Sequence, residues 1–247
     1  PVHIFPFKMT KKNMEKIRLI SGSSNAELAI LISKRLNIKL VDMKITDFAN
    51  TEIGVVINEV IRNHHIYIVQ TGGAYGSKSI NDHLMELYAL IHACVLSSAK
   101  SVNVIMPCYA YARSDKKDGT RSSIMGSCQA NILQSLGVKR IISMDLHAGQ
   151  IQGFFTKIPM DNLYGINLHI ENLKKTVFLN MTQEEINEKF VLAAPDEGAT
   201  KRIEIYANKM GMKHVLMHKH RNYDIPGVVL NTILVGAQDA VKGKTVI

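Results

Sequence analysis

An acid and a histidine two residues apart, Asp145 and His147, follow the apolar run 141–144 and precede Ala148 and Gly149. In a strand that ends Asp-x-His, both side chains lie on one side of the backbone, because strand side chains alternate with period two. Such a pair can hold a divalent cation; the same pattern also describes a strand cap beside a surface histidine. A second chemically loaded stretch follows the apolar run 102–106. Tyr109, Tyr111, Arg113, Asp115, Lys116, Lys117, Asp118 and Arg121 fall within 13 residues. Rings and guanidinium planes can stack on a purine, and Arg and Lys can meet phosphate. A solvated charged loop explains the lysines equally well, but the tyrosines and Arg113 less well.

Three more loops carry candidate chemistry. Asp196 precedes Glu197-Gly198 at a helix start and is either a metal ligand or the helix N-cap. Lys219 and Arg221 lie in a basic stretch, 219–227, that is expected to be a mobile loop; they could clamp a transferring phosphoryl group, or the loop could simply be solvated. Ser21-Gly22-Ser23-Ser24 could present N–H groups to an anion, or cap the helix that follows. Gly243-Lys244-Thr245 lacks the upstream glycine of a P-loop, so any nucleotide is held by other means.

The elements that must position these groups alternate in type. Residues 17–21, 55–57, 66–70, 102–106 and 140–144 read as strands, and 190–194 and 214–218 read likewise further on. Between them run helical stripes: Leu28, Leu31, Ile32 and Leu36; Ile80, Leu84, Leu87, Ile91 and Val95; Ile124, Cys128, Ile132 and Leu136. All three stripes are expected to be core. Helices are predicted from about Leu163, near Glu184 and over 199–210, and a further strand starts at Thr245. The alternation predicts an α/β fold with mostly parallel sheets covered by helices on both faces, ligands gathering beyond the strands' carboxyl ends where strand order reverses. The expected division is an extension at 1–8, an N-terminal domain at 9–162 and a C-terminal domain at 163–247.

Composition narrows the function classes. With 247 residues, 46% of them hydrophobic, the chain can build a sizeable core. The balance of 30 basic to 21 acidic residues, net +9, favours a polyanionic partner. Basic residues are dispersed and no aromatic ladder accompanies them, which argues against nucleic acid. No apolar run approaches membrane-spanning length, and a cytoplasmic protein is expected. Cys94, Cys108 and Cys128 show no metal spacing, and each is expected to be a small buried apolar residue.

Taken together, Asp145-Leu146-His147-Ala148-Gly149-Gln150-Ile151-Gln152-Gly153-Phe154-Phe155, the 111–118 loop, Asn81-Asp82-His83-Leu84-Met85-Glu86-Leu87 and Phe48-Ala49-Asn50-Thr51-Glu52 closely resemble the ribose-phosphate diphosphokinase (phosphoribosyl pyrophosphate synthetase) family, in the same order from about Ile17 to Ile247. The resemblance implies two phosphoribosyltransferase-like domains and a homo-oligomer built from dimers, often a hexamer. It also implies transfer of the diphosphoryl group of ATP to the C1 hydroxyl of ribose 5-phosphate, with Mg²⁺, as a step of nucleotide biosynthesis. Carried over by position, Arg113, Ser114, Asp115, Lys116, Lys117 and Asp118 form the ATP loop, and Phe48, Asn50 and Glu52 form a hairpin that reaches the adenine site of a neighbouring subunit. His147 and Asp196 match metal ligands, with Asp145 beside them, and Lys219 and Arg221 match the catalytic basic pair.

Several positions depart from the family pattern. Ser114 stands where the family commonly has Gln, Ala199 replaces a usual second glycine, 156–158 is one residue longer than typical, and 72–79 is a longer loop than usual. Val60 replaces a serine of the phosphate and ADP regulatory site, although Arg62 and Arg121 are kept. Family members follow the strand begun at Thr245 with an Asp-Asp-x-x-x-Thr-x-Gly-Thr loop for ribose 5-phosphate, and the sequence stops before it. The second domain is therefore expected to be incomplete. One alternative is a non-catalytic regulatory subunit, disfavoured because His147, Lys219 and Arg221 are retained; the other is an inactive fragment of such a synthetase.

Overall fold

The computed structural model describes residues 14–221, 229–235 and 240–247, and for 219–221 and 229–231 the backbone alone. Residues 1–8, read above as an extension, and 222–227 of the basic stretch lie outside the described residues. The chain divides into two units after Tyr164.

The first unit runs β1 (Ile17–Ser21), α1 (Ala26–Leu36), β2 (Met43–Asp47), β3 (Ile53–Ile57), β4 (His65–Val69), α2 (Ile80–Leu96), β5 (Ser101–Ile105), α3 (Met125–Ser135), β6 (Arg140–Met144) and β7 (Met160–Leu163). Five strands form one parallel sheet in the order β1-β4-β5-β6-β7, and β2 and β3 pair as a separate antiparallel hairpin. Alternate residues of the strands feed opposite faces. Leu19, Tyr67, Val69 and Ile105 pack with α1 residues, whereas Ile20, Ile68, Val104 and Ile141 belong to the larger cluster containing Leu84, Leu87 and Ile91 of α2 and Leu133 of α3. Both faces are covered, so the strands are near-continuous apolar runs. Full burial of an Ile or Leu contributes about 1.5–3 kcal/mol, so these side chains supply most of what fixes the sheet. The strands follow one another across the sheet without a reversal, so its candidate loops are gathered by the shared carboxyl edge rather than by a switch in strand order.

The helical stripes are only partly core. In α1, Ala29 is buried with Leu28 and Ile32 against the sheet, while Leu31 and Leu36 are exposed. In α2, Leu84, Leu87 and Ile91 are buried as expected, and Val95 is exposed. In α3 the expected stripe is half wrong: Leu136 packs against the core, but Cys128 and Ile132 are exposed, and Gly126, Gln129, Ala130 and Leu133 are buried. Two tyrosines turn the helix this way. Tyr109 Oη donates to Gly126 O at 2.9 Å, and Tyr88 Oη donates to Gln129 Oε1. Of the three cysteines only Cys94 is buried, its thiol pushed up to about 12 by that burial. Cys108 is exposed, as is Cys128, against the expectation that all three would be buried.

His65 gives the first unit an acid-sensitive point. Its Nδ1 lies 2.7 Å from Ser101 Oγ in the neighbouring strand. Burial, then Lys100, Lys16 and His64, lower its pKa from the ordinary 6.5. The unfolded chain therefore takes up the proton first as pH falls, and the stability this residue contributes is complete above about pH 6.5 and lost as pH drops through the lowered folded value. His65→Gln is expected to flatten the fall in thermal midpoint between about pH 7 and 5. Parallel pH profiles for the two proteins would count against this.

The second unit holds α4 (Ile166–Lys175), α5 (Gln183–Lys189), β8 (Phe190–Ala194), α6 (Thr200–Met210), β9 (His214–Arg221), β10 (Val229–Val235) and β11 (Thr245–Val246). Its sheet has the order β10-β9-β8-β11, with β8 parallel to both β9 and β11 and β10 antiparallel to β9. A reciprocal capping box between Thr182 and Glu185 starts α5. The core gathers Ile170, Phe178, Leu192, Ala207, Met210 and Met212, and Phe178 meets Phe190 edge-on at 5.0 Å.

Candidate active site

At the carboxyl edge of the first unit's sheet, the segments after β4, β5 and β6 are joined to one another. Gly72 N donates to Cys108 O at 2.8 Å, and Cys108 N to Thr71 Oγ1 at 3.4 Å. Met144 N donates to Pro107 O at 3.1 Å. Gln150 Nε2 donates to Asp115 Oδ2 at 3.2 Å, tying the loop after β6 to the charged loop after β5. The close approach at Gly72 leaves no room for a side chain, because a Cβ there would meet Ala110 N at 2.5 Å and Cys108 O at 2.6 Å.

The tyrosines of the charged loop hold it in shape and are not free platforms for a base. Tyr109 is 4% exposed, edge-on to Phe155 at 5.8 Å, and burial raises its phenol pKa. Tyr111 adopts a left-handed φ of 57° and donates from Oη to Asn81 Oδ1. Ser114 anchors the start of α3: its Oγ accepts from Met125 N at 2.9 Å and its carbonyl from Gly126 N at 3.0 Å. Asp115 is half-buried, and Arg113, Lys116, Lys117 and Asp118 are exposed. The Lys116–Asp118 pair at 3.7 Å is open to water and adds little stability. Four exposed charged side chains on an anchored loop leave Arg113, Lys116 and Lys117 accessible to phosphate.

Asp145 and His147 do not share a face by strand alternation. β6 ends at Met144, and Asp145 takes a left-handed φ of 45°, so the period-two argument stops one residue short of it. Between them Leu146 is buried, while His147 is exposed and Asp145 half-buried. Leu146 N donates to Asn162 Oδ1 at 3.1 Å, which pins the turn to β7. The rest of the string divides its work. Ile151 and Phe155 enter the core, and Gln150 reaches Asp115.

The hairpin tip between β2 and β3 is closed by Phe48 N donating to Glu52 O at 2.8 Å and Thr51 N to Phe48 O at 2.9 Å. Phe48 is 51% exposed, and Asn50 and Glu52 are exposed with it. The phenyl ring lies over Gly54, where an added Cβ would come within 2.9 Å of it. An outward aromatic on a stiff turn is a surface suited to stacking.

In the second unit, Asp196 occupies the N-cap position of the short turn Glu197–Ala199, and its side chain makes no capping hydrogen bond to that turn. Glu197 Oε1 instead meets His218 Nδ1 at 2.6 Å. Lys219 and Arg221 lie on β9 and not in a loop. Lys219 is opposite Thr232 and Arg221 opposite Val229, with a register shift between Val229 and Asn231. β9 runs three residues past the strand expected at 214–218, because pairing with β10 extends it to Arg221. Among the described residues, no three or more His, Cys, Asp or Glu side chains cluster as an all-protein metal cage.

One constellation escaped the sequence reading. Glu86 of α2 is fully buried and accepts from Ser23 N (2.6 Å), Ser23 Oγ (2.6 Å), Gln70 Nε2 (3.0 Å) and Lys78 Nζ (3.1 Å). Ser24 N and Oγ both donate to Gln70 Oε1. The donors of the turn after β1 are thus spent on internal acceptors, which overturns the reading of 21–24 as an anion cradle. A readable signal existed: Glu86 sits at helical spacing between His83 and Leu90 on the apolar face, where an acid is rarely buried without partners.

A parallel sheet covered on both faces, with its polar loops joined at the carboxyl edge, defines an open-sheet α/β domain with its candidate site at that edge. Residues 17–137 match the sequence profile described as the N-terminal domain of ribose phosphate pyrophosphokinase. The chain is 43% identical over 206 residues to ribose-phosphate pyrophosphokinase 2 of Saccharomyces cerevisiae, covering 83% of this chain and 61% of that protein. With ribose-phosphate pyrophosphokinase 4 of the same yeast it is 42% identical, over 84% of this chain and 60% of the relative. The crystal structure of phosphoribosylpyrophosphate synthetase from Mycobacterium smegmatis superposes with a TM-score of 0.76 at 30% identity, covering 90% of this chain and 67% of that one. The chain belongs to the ribose-phosphate pyrophosphokinase family, and it spans about 60% of the length of the yeast relatives it matches.

Proposed function

We propose that this chain belongs to an enzyme that transfers the β,γ-diphosphoryl group of ATP to the C1 hydroxyl of ribose 5-phosphate. The hydroxyl oxygen attacks the β-phosphorus, the bond from that phosphorus to the α,β-bridging oxygen breaks, and AMP and phosphoribosyl pyrophosphate result. The observation that supports it best is the Gln150–Asp115 hydrogen bond, which couples the loop bearing Asp145 and His147 to the loop bearing Arg113, Lys116 and Lys117. A triphosphate needs cationic side chains and metal-binding groups side by side, and that coupling keeps the two loops together.

Mg²⁺ suits the carboxylates of Asp145 and Asp196, oxygen donors of the kind this ion prefers. This ion takes one or two protein ligands, completing its shell with waters and substrate phosphates, so a three-residue cage is not required. Asp145 and His147 of the first unit are assigned to the ion, and Asp196 of the second unit is assigned, separately, to a metal. When bound, the ion neutralises charge spread over the phosphate oxygens. Arg113, Ser114, Asp115, Lys116, Lys117 and Asp118 are assigned to ATP. Phe48, Asn50 and Glu52 are assigned to the adenine of a neighbouring subunit in a dimer-based homo-oligomer, and Lys219 and Arg221 to the moving diphosphoryl group.

Phosphorus NMR of the protein with ATP, Mg²⁺ and ribose 5-phosphate, beside a control lacking the sugar, tests the proposal. Sugar-dependent AMP and a new diphosphate-sugar signal are expected. AMP release that ignores the sugar, or failure of ATP with Mg²⁺ to bind at all, would overturn it. Binding without turnover would support the regulatory-subunit reading instead.

A further inference from the structure

The loop at 72–79 carries a lysine that ties α2 to the end of β2, beyond the packing that the hairpin already makes against α2 through Met43, Val55 and Ile57. Lys78 Nζ lies 3.1 Å from Glu86 Oε2, which is fully buried in α2, and 2.8 Å from Asp47 Oδ1, the last residue of β2 before the tip that begins at Phe48. The lysine side chain is 21% exposed, Asp47 59% and Glu86 0%. Burial by itself would lower the lysine's pKa, but hydrogen bonds to Asp47 and Glu86 outweigh it and raise the value, so the ammonium charge is retained.

The loop is built to hold this side chain still. Tyr75 and Lys78 exchange both backbone hydrogen bonds at 3.1 Å, closing a four-residue turn whose Gly76 has a φ of 61°, the left-handed region that glycine tolerates. Immediately afterwards Ser79 and Asp82 form a reciprocal capping box that starts α2. Lys78 is therefore clamped on both flanks, and its free end spans from a buried carboxylate to the last residue of β2, directly before the hairpin tip. Glu86 already has three neutral donors in Ser23 N, Ser23 Oγ and Gln70 Nε2, so the part of the bridge that reaches Asp47 is not needed to satisfy it.

We propose that Lys78 is a positioning residue, fixing the Phe48–Glu52 tip through Asp47 so that the tip meets the adenine end of ATP in one orientation. The nucleotide part of this inference rests on the function proposed above; the mechanical part does not. Loss of the bridge leaves the end of β2 without its ion pair to Lys78, so nucleotide binding must then pay for ordering the tip beyond it.

Asp47→Asn and Lys78→Met test this, with Lys78→Arg as the restoring variant. Asp47→Asn leaves the Lys78–Glu86 pair in place, so it reads the hairpin link even if Lys78→Met fails to fold. Amide hydrogen exchange at Phe48 and Thr51 is expected to quicken by about fivefold in Asp47→Asn and Lys78→Met and to return towards the parent rate in Lys78→Arg, a size suited to one partly exposed ion pair. The KM for ATP with Mg²⁺ should rise about fivefold while kcat stays within about twofold, because the bridge touches no reacting atom. Unchanged exchange at the tip would overturn the bridge as a positioning device. Faster exchange with an unchanged KM would overturn its service to the nucleotide. A parent protein that does not bind ATP with Mg²⁺ would sink the proposed function alone, since the exchange rates still decide the mechanical claim.

Discussion

Alanine at Lys219 or at Arg221 is expected to lower kcat for AMP formation by about 100- to 1,000-fold, the usual loss when one preorganised charge is withdrawn from a developing oxyanion. In a loose diphosphoryl-transfer transition state, charge spreads over the phosphate oxygens, and little covalent work is left to the protein beyond positioning and neutralising it. The backbone supports this role. Both residues lie on β9, paired to β10 across from Thr232 and Val229, so their Cα positions are set by a hydrogen-bonded ladder. The register shift between Val229 and Asn231 lies opposite Arg221 and His220. Irregularities of this kind re-aim a strand next to active sites. Because the charge acts on the transition state more than on bound ATP, kcat should fall with KM for ATP changing far less. Steady-state kinetics of the two alanine variants check this, and a kcat within about twofold of the parent would remove the pair from the mechanism.

Glu86→Ala should be the most destabilising single substitution outside the apolar core, costing about 3–5 kcal/mol, as when one partner of a buried ion pair is removed. Four donors lose their acceptor at once, among them the Lys78 ammonium and Ser23 N. A shift in the urea midpoint at unchanged slope measures the loss. Glu86→Gln should lose less, since one amide oxygen still accepts, although its NH₂ now faces donors. A loss below about 1 kcal/mol for alanine would mean that solvent or a rearranged Gln70 takes over the carboxylate's role.

Regular elements with a strong local pattern were readable before any coordinates. The strands 17–21, 140–144 and 190–194 match β1, β6 and β8 residue for residue, because each is a short apolar run closed by polar or turn residues. β2 and β7 escaped. Met43–Asp47 alternates apolar and polar residues and is only half-covered, and Met160–Leu163 carries just two apolar residues. The second is an edge strand held in part by the Arg140–Asp161 ion pair, a contact that no periodicity reveals. β9 ran past its predicted end for a related reason, as its extension depends on a partner that begins eight residues later, at Val229.

For the site, residue types were legible and their surroundings were not. Tyr109 and Tyr111 looked like stacking platforms, yet one is buried against Phe155 and the other is spent on Asn81. Asp145 and His147 were grouped by a strand rule that the left-handed φ at Asp145 interrupts. The Glu86 network joins residues 23, 70, 78 and 86, and only the folded sheet brings them together.

The twin glycines after β4 differ in the substitutions they admit. At Gly72 any side chain collides with the backbone of Cys108 and Ala110, which cannot yield without parting two of the joined loops, whereas a Cβ at Gly73 meets nothing within 4 Å. A side chain is therefore sterically admissible at the second position and not at the first. The segment bearing Lys78 thus begins from a fixed point at residue 72 and has room for side chains from residue 73.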